Sequence, residues 1–498
     1  MAAKTPTPER QRRAALKKQR EIAKWEKEKS RPRRRTYLVY MVFLICLVYI
    51  TDEIASQICA QMKTEIAGDL FVKFGDRSLS TLGALELISY PCIAVSLFYK
   101  TLSDRYGRRL FLVVNTFGMA IGMTLIFLSG NIPLYIVGYC VISFFVPHDM
   151  QVVYIMETAP AKHRAKIYSL VRSAATLGVM LIPLLRRVFM QDQSQWRRVF
   201  LVPAILGLAA SFLALLLSRE TDVFIDSRLK YLRMSEEELR AEKARKDVQN
   251  AQGGFFAALK FAMRHRQLRW LYILMAFHNL GFIITMNYQP MLSYGYAGNL
   301  VSSGAAKTLD DALNAVGSGG GAVTQALFLF AVGSAVFQFI VGFVSDKLGR
   351  KPAAAMMSAL TLATLLLFTF GAKLGWAPWL VGFLTGACVG SFWSVGDVNV
   401  MMMSESAPTN LRSSVASSAY VIQAIGTVVG MAVLLPTLGA LGNAAITSVV
   451  LCISAPGILA GLLLVLMKTH ETKGTDLDTV TGCEWDREPG EQEPEIRN

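Results

Sequence analysis

Long apolar runs separated by short polar breaks, many of them basic, dominate the chain and predict helices that cross a membrane. Hydropathy marks twelve runs, at 37–60, 79–99, 110–129, 132–156, 166–185 and 198–218, then 268–290, 323–343, 354–371, 376–402, 413–436 and 444–467. The longer ones reach the ~20 residues that carry a helix across ~30 Å of hydrocarbon. Backbone in lipid has to satisfy its own hydrogen bonds, and an alternating ten-residue barrel pattern is absent, so the expected class is all-α membrane. The implied organisation is a basic tail (1–36), a first six-helix bundle (37–218), and a charged central loop with short helices (219–267). A second six-helix bundle (268–467) and a polar tail (468–498) follow.

The polar breaks repeat. Asp104-Arg-Tyr-Gly-Arg-Arg109 after the second run is answered by Asp346-Lys-Leu-Gly-Arg-Lys351 after the eighth. Glu157-Thr-Ala-Pro-x-x-x-Arg164 closes the fourth run, and Glu405-Ser-Ala-Pro-x-x-x-Arg412 closes the tenth. Gly178 pairs with Gly426, Asp149 with Asp397, and Arg219-Glu-Thr221 with His470-Glu-Thr472. Offsets between the halves stay between 242 and 251 residues along the whole chain. Repetition at one period fixes architecture more firmly than any single motif. Here it means a duplicated six-helix unit.

Composition sharpens the picture. Only 17% of residues are charged and 53% are hydrophobic, against about a quarter charged in soluble domains. Ten of the +15 net charges lie between Lys4 and Arg35, a block beside the first span and not a face of a folded domain, so no nucleic-acid partner is expected. The positive-inside rule then puts the tail in the cytoplasm, and an even span count puts both termini there. Residues 10–29 suit a basic helix on anionic lipid, with a solvated tail as the other reading. One outer loop breaks the charge rule: Arg186, Arg187, Arg197 and Arg198 stand against Asp192 alone. Snorkelling to headgroups and an electropositive outer mouth are the two readings. Seven cysteines show no paired or metal-ligand spacing, so neither a metal nor a cofactor is expected.

The duplicated loop motifs resemble those of the major facilitator superfamily, over nearly the whole chain from Tyr37 to Leu477. Tyr154-Ile-Met-Glu-Thr-Ala-Pro-Ala-Lys-His-Arg164 and Glu471-Thr-Lys-Gly474 are similar to the sugar-porter branch and its metabolite:proton symporters. The resemblance implies twelve transmembrane helices in two pseudo-symmetric bundles that alternate access to a central site. Departures are Phe277-His278 or His278-Asn279 where sugar porters carry a Gln-Gln pair, Val400 for a tryptophan, and Lys100 for a glycine.

Ionisable groups inside spans are functional-site hypotheses. Arg172 lies eight residues after Arg164, where the branch places a substrate-facing glutamine, and its fork of donors matches a carboxylate or phosphate, pointing to an anionic or polyhydroxylated metabolite. It is expected either to contact the substrate or to neutralise Asp149, Asp52 or Glu53. Further substrate-binding candidates are Asp149, His278, Asn279, Tyr288, Asp397, Tyr420 and Gln423. The seventh span is expected to end at Pro290, before an outer loop (291–322) that holds one short helix at 308–315. Asp52 and Glu53 are the proton-coupling candidates. The resemblance assigns a cytoplasmic gate to Asp104, Arg105, Arg108, Arg109, Glu157, Arg164 and Glu220, and to Asp346, Lys347, Arg350, Lys351, Glu405, Arg412 and Glu471. These clusters are expected to close the inner side and to break when the molecule rocks inward.

The functional expectation is a secondary transporter of a small polar metabolite (a sugar, sugar acid or other organic anion), a proton symporter and not an enzyme. It would be a monomer, multi-pass, in the plasma membrane or, in a bacterium, the inner membrane. The alternatives are a drug or organic-ion proton antiporter, disfavoured by Pro183 without a preceding glycine, and a non-transporting nutrient sensor.

Overall fold

The computed structural model describes residues 8–30, 37–146, 150–158, 164–235, 237–241, 244, 255–408 and 411–475, which are helical with no strand among them. In chain order the helices of the first half are α1 (Pro8–Lys29), α2 (Tyr37–Gln57), α3 (Lys63–Leu70), α4 (Ser78–Glu86), α5 (Tyr90–Thr101), α6 (Ser103–Tyr106), α7 (Arg108–Phe127), α8 (Ile132–Phe145), α9 (Met150–Thr158), α10 (Arg164–Gly178), α11 (Leu181–Phe189) and α12 (Arg198–Leu217). They are followed by α13 (Asp222–Arg233), α14 (Phe255–Arg264), α15 (Arg266–His278), α16 (Phe282–Ser302), α17 (Leu309–Gly317), α18 (Ala322–Leu348), α19 (Arg350–Lys373), α20 (Pro378–Glu405), α21 (Arg412–Leu441) and α22 (Ile446–Lys468).

Among the described residues, eleven helical stretches are long and apolar enough to span a bilayer. The fifth crossing is not among them, because a turn at Val179–Met180 divides it into α10 and α11. Arg164, Lys166, Arg172, Arg186 and Arg187 also dilute its apolar character. With α10 and α11 together making that crossing, the molecule has the twelve-helix arrangement of the major facilitator fold. The seventh crossing breaks at the 3₁₀ turn Asn279–Gly281 and then runs on as α16. Pro290 therefore does not end it. It lies inside α16, which continues to Ser302, and α17 follows as the short helix of the outer loop. Packing overrides the cost of an interior proline there, since Tyr288, Gln289, Met291 and Leu292 are all buried.

The apolar core shows how the halves meet. One cluster draws on both, joining Ile54, Met62, Ile182 and Leu185 to Ile283, Tyr288, Leu327 and Leu434. Two others stay within one half each: Met41, Tyr49, Leu112 and Val171 in the first, Leu271, Met357, Val398 and Val415 in the second. The shared cluster lies away from the face carrying α1 and the end of α22, called here the tail face. The bundles are thus joined toward the far face and separate toward the tail face. α1 folds back on α13, with Trp25 edge-on to Phe224 at 5.5 Å and Arg228 paired with Glu21 at 2.7 Å.

Candidate functional site

Between the halves lies a cavity of about 720 Å³. α2 contributes Tyr49, Asp52, Glu53 and Gln57, and α10 contributes Arg172 and Thr176. From the second half come Phe282 and Thr285 of α16, Ser334 and Gln338 of α18, Trp393 and Asp397 of α20, and Tyr420 of α21. A smaller cavity of about 330 Å³ shares Arg172, Thr176, Gln338 and Asp397 and runs on to Gly342 and Asp346 at the tail-face end of α18. The space therefore leads to the tail face.

Arg172 faces Asp397 across the interface at 3.7 Å, with the two side chains 38% and 57% exposed. The sequence brought both into play, with Arg172 expected to contact the substrate or to neutralise Asp149, Asp52 or Glu53; the structure adds this pair with the other half, because α10 packs against α18 and so looks across the cavity. Asp52 is buried and accepts a hydrogen bond from Gln151 Nε2 at 2.9 Å. Gln151 went unnoticed in the sequence, where nothing separates it from a surface amide. Asp149 lies outside the described residues.

Four expected substrate contacts sit away from the cavity wall. His278 is 2% exposed, stacks on Phe392 at 4.5 Å and makes a hydrogen bond with its carbonyl at 3.1 Å. Asn279 donates to Gln423 O and Thr427 Oγ1, both at 2.6 Å, which uses its amide to hold the broken seventh helix against α21. Gln423 points its amide at Met275 Sδ, 3.7 Å away. Tyr288 stacks on Phe330 at 4.5 Å and donates to Gln57 Oε1 at 3.2 Å. The polar stripe of the seventh span thus serves helix packing and the far-side seam, because the turn at Asn279–Gly281 rotates those residues away from the space beneath. Tyr420 alone of the late-span candidates joins Arg172 and Asp397 in lining the cavity.

The tail-face charges form two clusters built alike. Arg108 Nε donates to Glu157 Oε1 at 3.1 Å and Arg350 Nε to Glu405 Oε1 at 3.2 Å. A serine takes a second guanidinium bond in each, Ser103 Oγ at 3.1 Å and Ser345 Oγ at 2.9 Å. The threonines after the sixth and twelfth crossings close each ring, Thr221 to Glu157 at 2.5 Å and Thr472 to Glu405 at 2.6 Å. Glu220 and Glu471 cap the N-termini of α7 and α19, accepting from Arg108 N at 2.9 Å and Arg350 N at 2.7 Å. Arg109 donates to Leu215 O, Asp346 accepts from Arg350 at 3.0 Å, Lys351 donates to Thr469 O, and Arg412 donates to Ser404 O. Lys347 contributes its carbonyl to Lys473. The side chains of Asp104, Arg105 and Arg164 lie outside the described ones.

Each of these contacts stays within one half. These contacts brace the rim of each bundle. The sequence showed the residues but not the partner each one chooses.

Burial raises the Glu220 carboxyl above its ordinary range, outweighing the N–H groups of Thr221, Arg108 and Arg109 that pull it down. Burial also pushes Glu471 up, but less, and the N–H groups of Arg350, Lys473, Lys351 and Thr472 leave it below the ordinary range.

At the far face the seam is polar. Arg186, which the sequence placed at headgroups or an open mouth, is fully buried. It donates to Glu65 at 2.5 Å, Gln61 O at 2.7 Å, Gly317 O at 3.0 Å and Thr324 Oγ1 at 3.1 Å. Arg197 pairs with Asp69 at 2.5 Å beside Trp196. The outer acids Glu65 and Asp69 are what the loop-by-loop charge count left out.

A family model described as "Sugar (and other) transporter" matches residues 76–482. No curated protein matches the chain. Similar solved structures include a D-xylose-proton symporter, 18% identical over 88% of this chain and 99% of the other, with TM-score 0.58. The xylose transporter XylE from E. coli, inward open, is 17% identical over 89% and 98%, with TM-score 0.59. An inward-facing, unoccupied bacterial homologue of the human lysosomal transporter Spinster is 12% identical over 88% and 96%, with TM-score 0.53. At these identities the likeness is one of fold.

Proposed function

The chain belongs to the sugar (and other) transporter family, and from that premise we propose that it is a proton-coupled symporter of a small polyhydroxylated metabolite. The observation that carries this reading is the ionisable cavity between the halves, open at the tail face and sealed at the far face. The tail face is then cytoplasmic, the membrane is the plasma membrane (a cell inner membrane in a bacterium), and the state is inward-open. The basic α1 lies along that membrane surface, where anionic lipid is its partner.

The described lining holds four carboxylates (Asp52, Glu53, Glu86, Asp397) against two cations, Lys63 and Arg172. That balance favours a sugar or polyol over a free organic anion. Hydroxyls are held by Arg172, Asp397, Gln338 and Tyr420, whose mixed donors and acceptors suit them. Asp52 and Glu53 carry the proton. A substrate that draws Arg172 from Asp397 changes the field at those acids, and this links occupancy to protonation.

A second reading is supported by the same acid excess together with Tyr49, Tyr139, Phe282, Phe330, Trp393 and Tyr420 in the wall. Carboxylates among aromatic faces suit an organic cation exchanged for protons. Proteoliposome uptake separates the two. An inward proton gradient accumulates D-xylose or a related sugar under the first reading and expels tetraethylammonium under the second. In Asp52→Asn/Glu53→Gln, accumulation is expected to vanish while exchange persists; unchanged uphill uptake would refute the assignment of these acids.

A further inference from the structure

Three consecutive residues at the start of α3 face two ways. Lys63 Nζ is 2.9 Å from Glu86 Oε2, with the side chains only 4% and 6% exposed, and Tyr135 donates to the other carboxylate oxygen at 3.2 Å. Lys63 and Glu86 line the cavity at its far end, together with Cys59 and Tyr139. The next residue, Thr64, donates to Gln289 Oε1 from both its N–H and its hydroxyl, at 3.0 Å each. Glu65 then accepts from Gln289 Nε2 at 3.0 Å and from the fully buried Arg186 at 2.5 Å.

These bonds divide by half. Lys63–Glu86 and Glu65–Arg186 belong to the first bundle and can travel with it as rigid pairs. The bonds from Thr64 and Glu65 to Gln289, and from Arg186 to Thr324 and Gly317, cross to the second bundle and have to break if the far face is to open. The groups that make the crossing bonds are buried, and a buried polar group left without a partner is costly. One of the crossing donors is the backbone N–H of Thr64, so the position of this turn sets the strength of the seam. Lys63, anchored on Glu86, fixes that position.

We propose that Lys63-Thr64-Glu65 is the positioning element of the far-face gate, and that the Lys63–Glu86 pair is the ionic subsite through which a cavity ligand releases it. A hydroxyl or charged group of the ligand that competes for Lys63 or Glu86 frees the turn, and the bonds to Gln289 weaken with it. The proposal rests on the alternating-access reading, but its test needs no substrate or proton gradient.

Nitroxide labels at the exposed positions Lys73 and Lys307, one in each half beside the far face, report the gate by double electron–electron resonance on the purified full chain. Gln289→Leu and Glu86→Gln are each expected to raise the long-distance over short-distance ratio about tenfold, equivalent to ~1.4 kcal/mol. Glu86→Asp should keep the parent distribution. If Gln289→Leu leaves the distribution unchanged, the latch is wrong. If Gln289→Leu opens it and Glu86→Gln does not, the link to the cavity is wrong. Should Glu86→Gln fail to fold, Lys63→Gln/Glu86→Gln leaves no uncompensated buried charge and carries the same prediction. If the parent protein fails the symport assay while these variants open the gate, the result counts against the proton reading alone.

Discussion

At Gly107 and Gly349 the backbone takes φ +111° with extended ψ, a region that side chains do not tolerate. A Cβ at either position would fall on the carboxylate that caps the next helix, Glu220 or Glu471. Gly107→Ala and Gly349→Ala should therefore each lower stability by ~1–3 kcal/mol, read as thermal unfolding of the detergent-purified protein. Arg186 is the other residue whose surroundings set its effect. Its guanidinium and the Glu65 carboxylate are both fully buried. Arg186→Met alone leaves that carboxylate uncompensated and should cost ~3–5 kcal/mol, while Arg186→Met/Glu65→Leu should recover most of the loss. A single mutant as stable as the parent would mean that water reaches the pair.

At the scale of elements, the first helix is informative because its contacts are weak. α1 meets α13 through Arg228–Glu21, Arg233–Glu26 and Lys29–Asp226, the last two with both partners about half exposed. Exposed pairs of this kind are worth ~0–1 kcal/mol each. Glu21→Lys/Glu26→Lys should free α1, seen as faster proteolysis within it, yet move the unfolding midpoint of the bundle little. The two rim clusters differ in titration despite their common design. Glu220, raised by burial, binds a proton more tightly folded than unfolded, so its contribution falls as pH rises between the ordinary and the raised value. Glu471, lowered by four N–H donors, contributes above the ordinary carboxylate range and loses that contribution as pH falls through its folded value. Stability measured against pH should show Glu471→Gln flattening the acid limb. Glu220→Gln should cost most at acid pH and least once pH has risen past the raised value. Matching profiles for the two variants would contradict the difference in environment.

At the scale of the whole molecule, the duplication that the sequence displays is realised in three dimensions residue by residue: serine, arginine, glutamate and threonine recur in both rims at nearly equal distances. The far face, by contrast, has no such symmetry. It is held by Arg186, Glu65 and Gln289, which have no repeat partners in the sequence, and this asymmetry is why the seam was not legible there. Arg172 and Asp397 stood out as charges in apolar runs, but 225 positions separate them along the chain, and spacing gives no reason to pair them.

The sequence by itself determined the class, the number of crossings, the duplication and the charged motifs at the tail face. Those rest on hydropathy and local spacing, which lipid and helix geometry read directly. The tertiary structure decided which charges meet, which polar residues face the cavity and which are spent on packing, and which face is open. Those outcomes depend on how two bundles approach one another, and a helical period carries no information about the partner across an interface.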